Sequence, residues 1–180
     1  MKRVLAFALG GAALLAGCGH SGYKPPAAKL LRPAEAAPST VLTAPAPVSG
    51  MSWFVAEDGD QAKLAYGKSA TEEVKLVLAC RKGSGKLNVT RFVTAEKAGD
   101  PPVLTLAAGS ARGRWLAESK PAADASGASA LSVDVPTTEP AIDAFVRHGW
   151  VAAITSDGKV EGMAPQPGDT AVHRFFDYCG

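Results

Sequence analysis

Three ionisable side chains near the C-terminus have a spacing that could support chemistry. His173 has Asp169 four residues before it and Asp177 four residues after it, so on a helix all three share one face. Carboxylates beside an imidazole can orient it for acid–base catalysis or help it hold a weakly bound metal ion. The same spacing is typical of a solvated helix face. No nearby histidine or carboxylate cluster completes a zinc site, so we expect the solvated face, with no metal or cofactor.

Two other segments match catalytic motifs only in part. Gly83-Ser84-Gly85-Lys86 has the end of a phosphate-binding loop, but that loop also needs a glycine where the chain has Cys80 and a hydroxyl residue where it has Leu87. We therefore expect a hairpin turn. A nucleophile elbow around Ser129 would need glycine in place of Leu131. Neither segment yields a catalytic residue.

Basic residues offer a further candidate surface. Arg112 and Arg114 flank Gly113 and precede Trp115, and an arrangement of cations beside an aromatic ring suits an anionic glycan or lipid. Scattered surface charge is the expected alternative. The basic residues of the predicted hairpin turn that could complete such a patch are Arg81, Lys82 and Lys86.

Two cysteines in the body of the chain, Cys80 and Cys179, are expected to form a disulfide. Cys80 ends a run with strand periodicity on its apolar face, and Cys179 ends an apolar helical stripe. Both should therefore point at one core. Two separate buried thiols are the alternative.

The N-terminal residues carry an export signal. Lys2 and Arg3 are followed by an apolar stretch, residues 4–15, which is shorter than the span of about 20 residues that a membrane helix needs. Small residues then lead to a cysteine in Leu15-Ala16-Gly17-Cys18. This motif resembles the lipobox of bacterial lipoproteins. The resemblance implies cleavage before Cys18, a diacylglycerol on its thiol, and acylation of the new amino terminus, for example with palmitate.

The residue after the cysteine bears on the location of the protein. In Gram-negative lipoproteins an aspartate at that position tends to cause retention at the inner membrane, and here it is Gly19. The resemblance therefore implies an outer-membrane anchor that faces the periplasm, provided that the organism has two membranes. An ordinary secretory signal with a cysteine nearby is the alternative.

The chain is expected to divide into residues 1–17 as signal peptide, 18–50 as lipidated cysteine and tether, and 51–180 as one domain. The tether is rich in alanine, and its prolines remove amide donors and fix φ, which disfavours sheets and long helices. Fully extended, it would reach roughly 100 Å, at about 3.1 Å per residue. We expect its apolar pairs, Leu30-Leu31 and Val41-Leu42, to be scattered linker residues, and contacts with the domain or a partner are the alternative.

The charge of the domain differs from that of the whole chain. The full sequence has a formal net charge of +2. Lys2 and Arg3 belong to the signal, and residues 19–50 hold three basic residues against Glu35, so residues 51–180 carry a net charge of −2. A domain with this balance lacks the basic surface of a nucleic-acid binder.

Alternating apolar residues predict about eight short strands. The clearest runs from Glu73 to Cys80, and with the run that follows it predicts a hairpin over residues 73–93. Residues 103–118 predict a second hairpin, and Ser156-Asp157-Gly158 predicts the turn of another. The small, polar residues 119–129 are expected to form a loop.

Two helices are predicted near the C-terminus. Thr138 is expected to cap the first, which Gly149 should end. Asp169 is expected to cap the second, in which Val172, Phe175, Phe176 and Cys179 share an apolar face. The fold class is thus mainly β with two C-terminal helices, an antiparallel β-sandwich or open barrel of short strands.

Two classes of function are compatible with these features. The first is a non-enzymatic binding or structural component of the envelope, with an envelope protein or a cell-wall glycan as partner. The second is a small hydrolase or ligand-binding domain using His173 with Asp169 and Asp177. We expect the first, because the sequence contains an anchor and a tether but no catalytic constellation. Inhibition of a secreted protease would fit the size of the domain, although no motif supports it.

Overall fold

The described part of the protein consists of ten strands and two helices, in a computed structural model that describes residues 41–94, 101–122 and 128–180. The signal, Cys18 and residues 19–40 of the predicted tether lie outside these ranges. In chain order the elements are β1 (Ser52–Asp58), β2 (Gln61–Gly67), β3 (Leu76–Arg81), β4 (Lys86–Thr94), β5 (Val103–Ala108), β6 (Ala111–Leu116), β7 (Glu118–Pro121), β8 (Ala128–Pro136), α1 (Pro140–His148), β9 (Val151–Ile154), β10 (Val160–Met163) and α2 (Ala171–Cys179).

Six strands form one antiparallel sheet in the order β1-β2-β3-β4-β8-β7. Alternate residues of its central strands are buried, because successive side chains of a strand point to opposite faces. Leu64 and Tyr66 of β2 and Leu76, Leu78 and Cys80 of β3 all lie in the core. The predicted period of two therefore identifies the inward face correctly.

The three predicted hairpins are confirmed. β3 pairs with β4, β5 with β6 and β9 with β10, each antiparallel. Gly158 takes a positive φ of 82° in the last turn, a conformation that favours glycine. β3 begins at Leu76, later than predicted, and Glu73, at the predicted start, has a φ of 47°, which is incompatible with a strand.

The other four strands form a second antiparallel sheet in the order β10-β9-β5-β6. Leu104 and Leu106 of β5 and Val151 and Ala153 of β9 are buried in the same core as the first sheet's inward side chains. Only Ala117 separates the end of β6 from the start of β7, so the chain passes directly from one sheet to the other.

The prediction of a loop over residues 119–129 is wrong at both ends, because residues 119–121 belong to β7 and residues 128–129 belong to β8. β7 pairs with β8 at the edge of the six-stranded sheet, with Ser119 opposite Leu131. All four β7 residues are exposed, so the strand lacks the apolar alternation that would reveal it. An edge position also tolerates Pro121, which has no amide to donate. Residues 123–127 lie outside the described residues.

The first helix, α1, packs against β5 and β6. Its N-cap is Glu139 and no side chain caps it, so the prediction of a Thr138 cap is wrong. Pro140 occupies the first turn, where its fixed φ is compatible with a helix. The predicted stop at Gly149 is confirmed: it has a φ of 72°, and its amide donates to the Phe145 carbonyl at 2.8 Å.

The second helix, α2, packs against β1 and β2. Val172, Phe175 and Cys179 are buried, which confirms the predicted apolar face. The structure contains the predicted disulfide between Cys80 of β3 and Cys179, with Cα atoms 6.0 Å apart. The end of α2 is thereby bonded to the six-stranded sheet.

The predicted fold class is confirmed. The described residues form a mainly β structure with two helices, built from two antiparallel sheets around one core, and these sheets do not close into a barrel. Among the described residues, no helix is long and apolar enough to cross a membrane.

Candidate functional site

A row of polar side chains crosses the outer face of the six-stranded sheet. Asn88 of β4 lies opposite Asp134 of β8, and Thr90 lies opposite Ser132. Val89, between the two β4 residues, is buried in the core. Since side chains alternate along a strand, these four polar side chains point away from the core.

These side chains form a continuous hydrogen-bonded ladder. The Asn88 side-chain amide donates to the Asp134 carboxylate at 2.8 Å. The Thr90 hydroxyl donates to the Asn88 side-chain carbonyl at 3.1 Å and lies 2.8 Å from the Ser132 hydroxyl. Since Thr90 uses its proton on Asn88, Ser132 donates to Thr90. These hydrogen bonds fix the orientation of each side chain. A ligand that binds the ladder therefore loses little free energy to the ordering of these side chains.

A shallow groove of about 290 Å³ begins at one end of this ladder. The β3–β4 turn forms its rim, where Gly83 and Gly85 take positive φ values of 67° and 63°. The groove is wide open to solvent, which suits an extended partner better than an enclosed small molecule. Its lining residues are Gln61, Ala79, Cys80, Arg81, Ser84, Lys86, Leu87, Asn88 and Asp134.

The groove carries charges of both signs. Arg81 forms an ion pair with Asp60 at 3.3 Å, and both side chains are more than half exposed, so this pair contributes little stability and can exchange for another partner. Lys86 has no ion-pair partner among the described residues. Together with Asp134 and the amides of Gln61 and Asn88, these cations offer complementary contacts for a polar partner that carries carboxylates.

The predicted trio around His173 is not assembled as a catalytic group. The Asp169 carboxylate accepts hydrogen bonds from the Ser52 hydroxyl and the Trp53 amide, each at 3.3 Å, and from the Ala171 amide at 2.8 Å. It therefore joins β1 to the start of α2. The N-cap itself is Thr170, one residue after the predicted cap, without a side-chain hydrogen bond.

The other members of the trio lie on the surface. His173 and Asp177 are exposed, and His173 makes no hydrogen bond within the described ranges. No group of three or more histidine, cysteine, aspartate or glutamate residues in this part of the chain could hold a metal ion. The arrangement corresponds to the solvated helix face.

The basic and aromatic residues of the second candidate patch are not brought together. Arg112 and Arg114 are exposed on β6, whereas Trp115 points to the opposite face, where its ring covers Gly113 and packs against the core. Lys82 lies over the Tyr178 ring, 5.3 Å from its centroid, beside α2. Alternation along β6 separates the tryptophan from the arginines.

One charged side chain is buried in the described core. Arg91 of β4 is 4% exposed and pairs with Glu161 of β10 at 3.0 Å, so the pair connects the two sheets. Nearby, the Trp53 indole nitrogen and the Tyr66 hydroxyl are buried without a hydrogen-bond partner of normal geometry. Burial and the Glu161 carboxylate raise the pKa of Tyr66, and the approach of the Ala164 amide lowers it by less.

The ladder was not predicted from the sequence, although its members are polar residues in runs of alternating polarity. Asn88 and Thr90 alternate with Leu87 and Val89, but their partners lie more than 40 residues away on β8. Local periodicity indicates which face a residue occupies and does not indicate which strand lies beside it. The groove could not be predicted without knowing that β4 pairs with β8.

Comparison with protein-family models, with curated proteins and with solved structures finds no match to this chain.

Proposed function

We propose that this protein is a lipid-anchored component of the bacterial envelope that binds a macromolecular partner without converting it. The anchor rests on Leu15-Ala16-Gly17-Cys18 at the end of a complete positive and apolar signal. Two or three acyl chains, at about 0.8 kcal/mol per buried CH₂, make a stable attachment where one chain is marginal.

The periplasmic face of the outer membrane is the proposed location. Gly19, rather than aspartate, follows the lipidated cysteine. The Cys80–Cys179 bond supports an oxidising compartment, because disulfides persist in the periplasm and are reduced in the cytosol.

The observation that carries the binding role is the oriented polar ladder that leads into the open, mixed-charge groove. We propose that the groove contacts a polar, extended partner with carboxylates, such as a cell-wall glycan with its peptide stems or an acidic segment of an envelope protein. Arg81 and Lys86 would pair with the carboxylates, and Asn88 and Asp134 would hydrogen-bond to hydroxyl and amide groups.

Photocrosslinking in cells tests this role. A photoreactive amino acid at position 88 is expected to yield a discrete adduct with glycan or with one protein. The matched control is position 159, an exposed lysine in the β9–β10 turn of the other sheet, which should not yield it.

Charge reversal then identifies the contacts. Lys86→Glu is expected to weaken the position-88 adduct strongly, because it replaces an attraction by a repulsion of similar size. Lys159→Glu changes the net charge equally and should leave the adduct intact. Identical adducts from both positions, or none from position 88, contradict the proposed site.

A further inference from the structure

The strand β6, at one border of the four-stranded sheet, has a free backbone edge, because it pairs with β5 on one side only. The Ala117 amide donates to the Pro102 carbonyl at 3.0 Å, directly beyond the register of the β5–β6 hairpin. Opposite residues of an antiparallel pair alternate between hydrogen-bonded and non-hydrogen-bonded, so every second residue counted back from Ala117 directs its backbone groups to β5. The β6 residues whose amides and carbonyls point to the free edge are therefore Arg112, Arg114 and Leu116.

The same three residues have exposed side chains on the outer face of the sheet. They alternate along β6 with the buried Gly113 and the half-buried Trp115, which lie on the face toward the core. Leu116 is 48% exposed. Neither Arg112 nor Arg114 forms an ion pair with any described residue, and no described residue hydrogen-bonds to the edge groups of β6. The edge thus combines unpaired backbone groups with two unpaired cations and an exposed apolar side chain.

The other sheet edges in the described parts of the chain are shorter or partly blocked. At the edge of β1, the Trp53 amide donates to the Asp169 carboxylate at 3.3 Å. The four-residue β7 ends in Pro121, which has no amide to offer a further strand. β10 also has only four residues. β6 has six residues and neither a proline nor a side chain bonded to its edge, so it is the edge best suited to accept another strand.

The charges on β6 determine which strand would be accepted. In an added strand, side chains opposite Arg112 and Arg114 would have Cβ atoms about 4.5–5.5 Å from theirs, a distance at which opposite charges attract and like charges repel. Pairing with β6 of a second copy would bring arginines beside arginines, and basic residues on an edge strand discourage such pairing. Carboxylates at alternate positions of the added strand would instead give each arginine a partner.

We propose that β6 binds an extended, acidic segment of another protein as an added antiparallel strand. Main-chain hydrogen bonds to the free edge provide the affinity, and the alternating side chains provide the specificity. In the direction of the partner chain, an apolar residue lies opposite Leu116, and carboxylates two and four residues later lie opposite Arg114 and Arg112. This surface is distinct from the groove, and its use depends neither on the ligand of the groove nor on the lipid anchor.

Selection from a phage-displayed library of short random peptides tests the recognition, using the chain from residue 18 onward with Cys18→Ser. The selected peptides should carry carboxylates at alternate positions. Arg112→Glu with Arg114→Glu should abolish their binding. Lys63→Glu with Lys75→Glu changes the net charge equally at the six-stranded sheet and should leave the binding intact. Selected peptides without this acidic spacing, or binding that persists after reversal of the arginines, overturn the proposed partner.

Amide hydrogen exchange measured by NMR tests whether a selected peptide adds as a strand. With the peptide at about 100 times its dissociation constant, exchange of the amides of Arg112, Arg114 and Leu116 should slow about 100-fold, because they are open only in the unbound fraction. The amides of Gly113 and Trp115, which already bond to β5, serve as the internal reference.

A proline variant tests the free edge without altering the arginines. Leu116→Pro removes one outward amide, keeps the hydrogen bonds to β5, and should weaken peptide binding about fivefold or more relative to Leu116→Thr, which keeps the amide. A bound peptide that leaves the three edge amides exchanging freely overturns strand addition. Self-association of the unmodified chain that Leu116→Pro abolishes would assign the edge to a second copy and overturn the acidic partner.

Discussion

Among single residues, the buried polar side chains differ in whether they have an ion-pair or hydrogen-bond partner. Arg91 has the Glu161 carboxylate as a partner, whereas the Tyr66 hydroxyl has no hydrogen bond of normal geometry. Tyr178, on the surface, donates its hydroxyl proton to the Gly59 carbonyl at 2.5 Å. These differences allow paired predictions in which one substitution serves as the control for another.

Tyr66→Phe is expected to raise the free energy of unfolding by about 1 kcal/mol, because it removes a buried hydroxyl that lacks a partner. Tyr178→Phe removes a hydrogen bond and should lower it by about 0.5 kcal/mol. Denaturant unfolding at neutral pH measures both. A larger loss for Tyr66→Phe than for Tyr178→Phe would contradict the assignment of the two hydroxyls.

The Tyr66 hydroxyl also predicts a dependence on alkaline pH. The folded protein raises the pKa of Tyr66, whereas in the unfolded chain a tyrosine ionises near pH 10. Because the folded protein holds the phenol proton more tightly than the unfolded chain does, ionisation of this group does not affect stability below about pH 10, and stability falls as the pH rises from there through the folded-state pKa. Tyr66→Phe should reduce the loss of stability that begins at about pH 10. If the dependence of stability on alkaline pH is the same in this variant, the raised pKa of Tyr66 is contradicted.

The Arg91–Glu161 pair should respond asymmetrically to substitution. Glu161→Gln leaves a buried guanidinium without a counter-charge and should lower the free energy of unfolding by about 3 kcal/mol. Arg91→Met removes the buried charge, and the Glu161 side chain, which is 41% exposed, can be hydrated. We expect a cost below about 1 kcal/mol for Arg91→Met, and equal losses in the two variants would contradict the burial of the arginine alone.

At the scale of elements, α2 depends on a covalent bond as well as on packing. The Cys80–Cys179 disulfide spans 99 residues, and the chain-entropy model gives up to about 4.7 kcal/mol for a loop of this size. Cys80→Ala with Cys179→Ala should therefore lower the denaturant midpoint markedly, while the buried Phe175 and Val172 keep α2 docked in native buffer. Addition of reductant to the unmodified chain should reproduce the shift, and coincident transitions with and without reductant would contradict it.

The elements also show what local sequence patterns can predict. The strand face of Leu76, Leu78 and Cys80 and the helix face of Val172, Phe175 and Cys179 were sufficient to predict the disulfide, because both stripes had to reach one core. β7 was not predicted, because its four residues are all exposed and show no alternation of apolar and polar side chains. Thr138 has the chemistry of a cap, but the helix begins at Pro140 with Glu139 before it.

At the scale of the whole molecule, the fold class could be predicted and the surfaces could not. Alternation and turn residues predict short antiparallel strands, which are compatible with a sandwich or an open barrel, and the structure shows two separate sheets. The groove depends on β4 lying beside β8, and the packing of Leu42 and Pro45 on the four-stranded sheet depends on Ala152 and Gly162 lying side by side on β9 and β10. Both are non-local pairings, which periodicity within a strand does not encode.

We propose that the chain is anchored through Cys18, and mass spectrometry of the protein isolated from membranes can identify the attached lipid. We predict a mature chain that begins at residue 18, with a diacylglycerol on the cysteine thiol and an acyl chain on its amino terminus. Cys18→Ser should abolish both modifications and release the protein from the membrane fraction. An unmodified Cys18 thiol in the mature protein, or cleavage at another position, would show that the chain has no lipid anchor at Cys18.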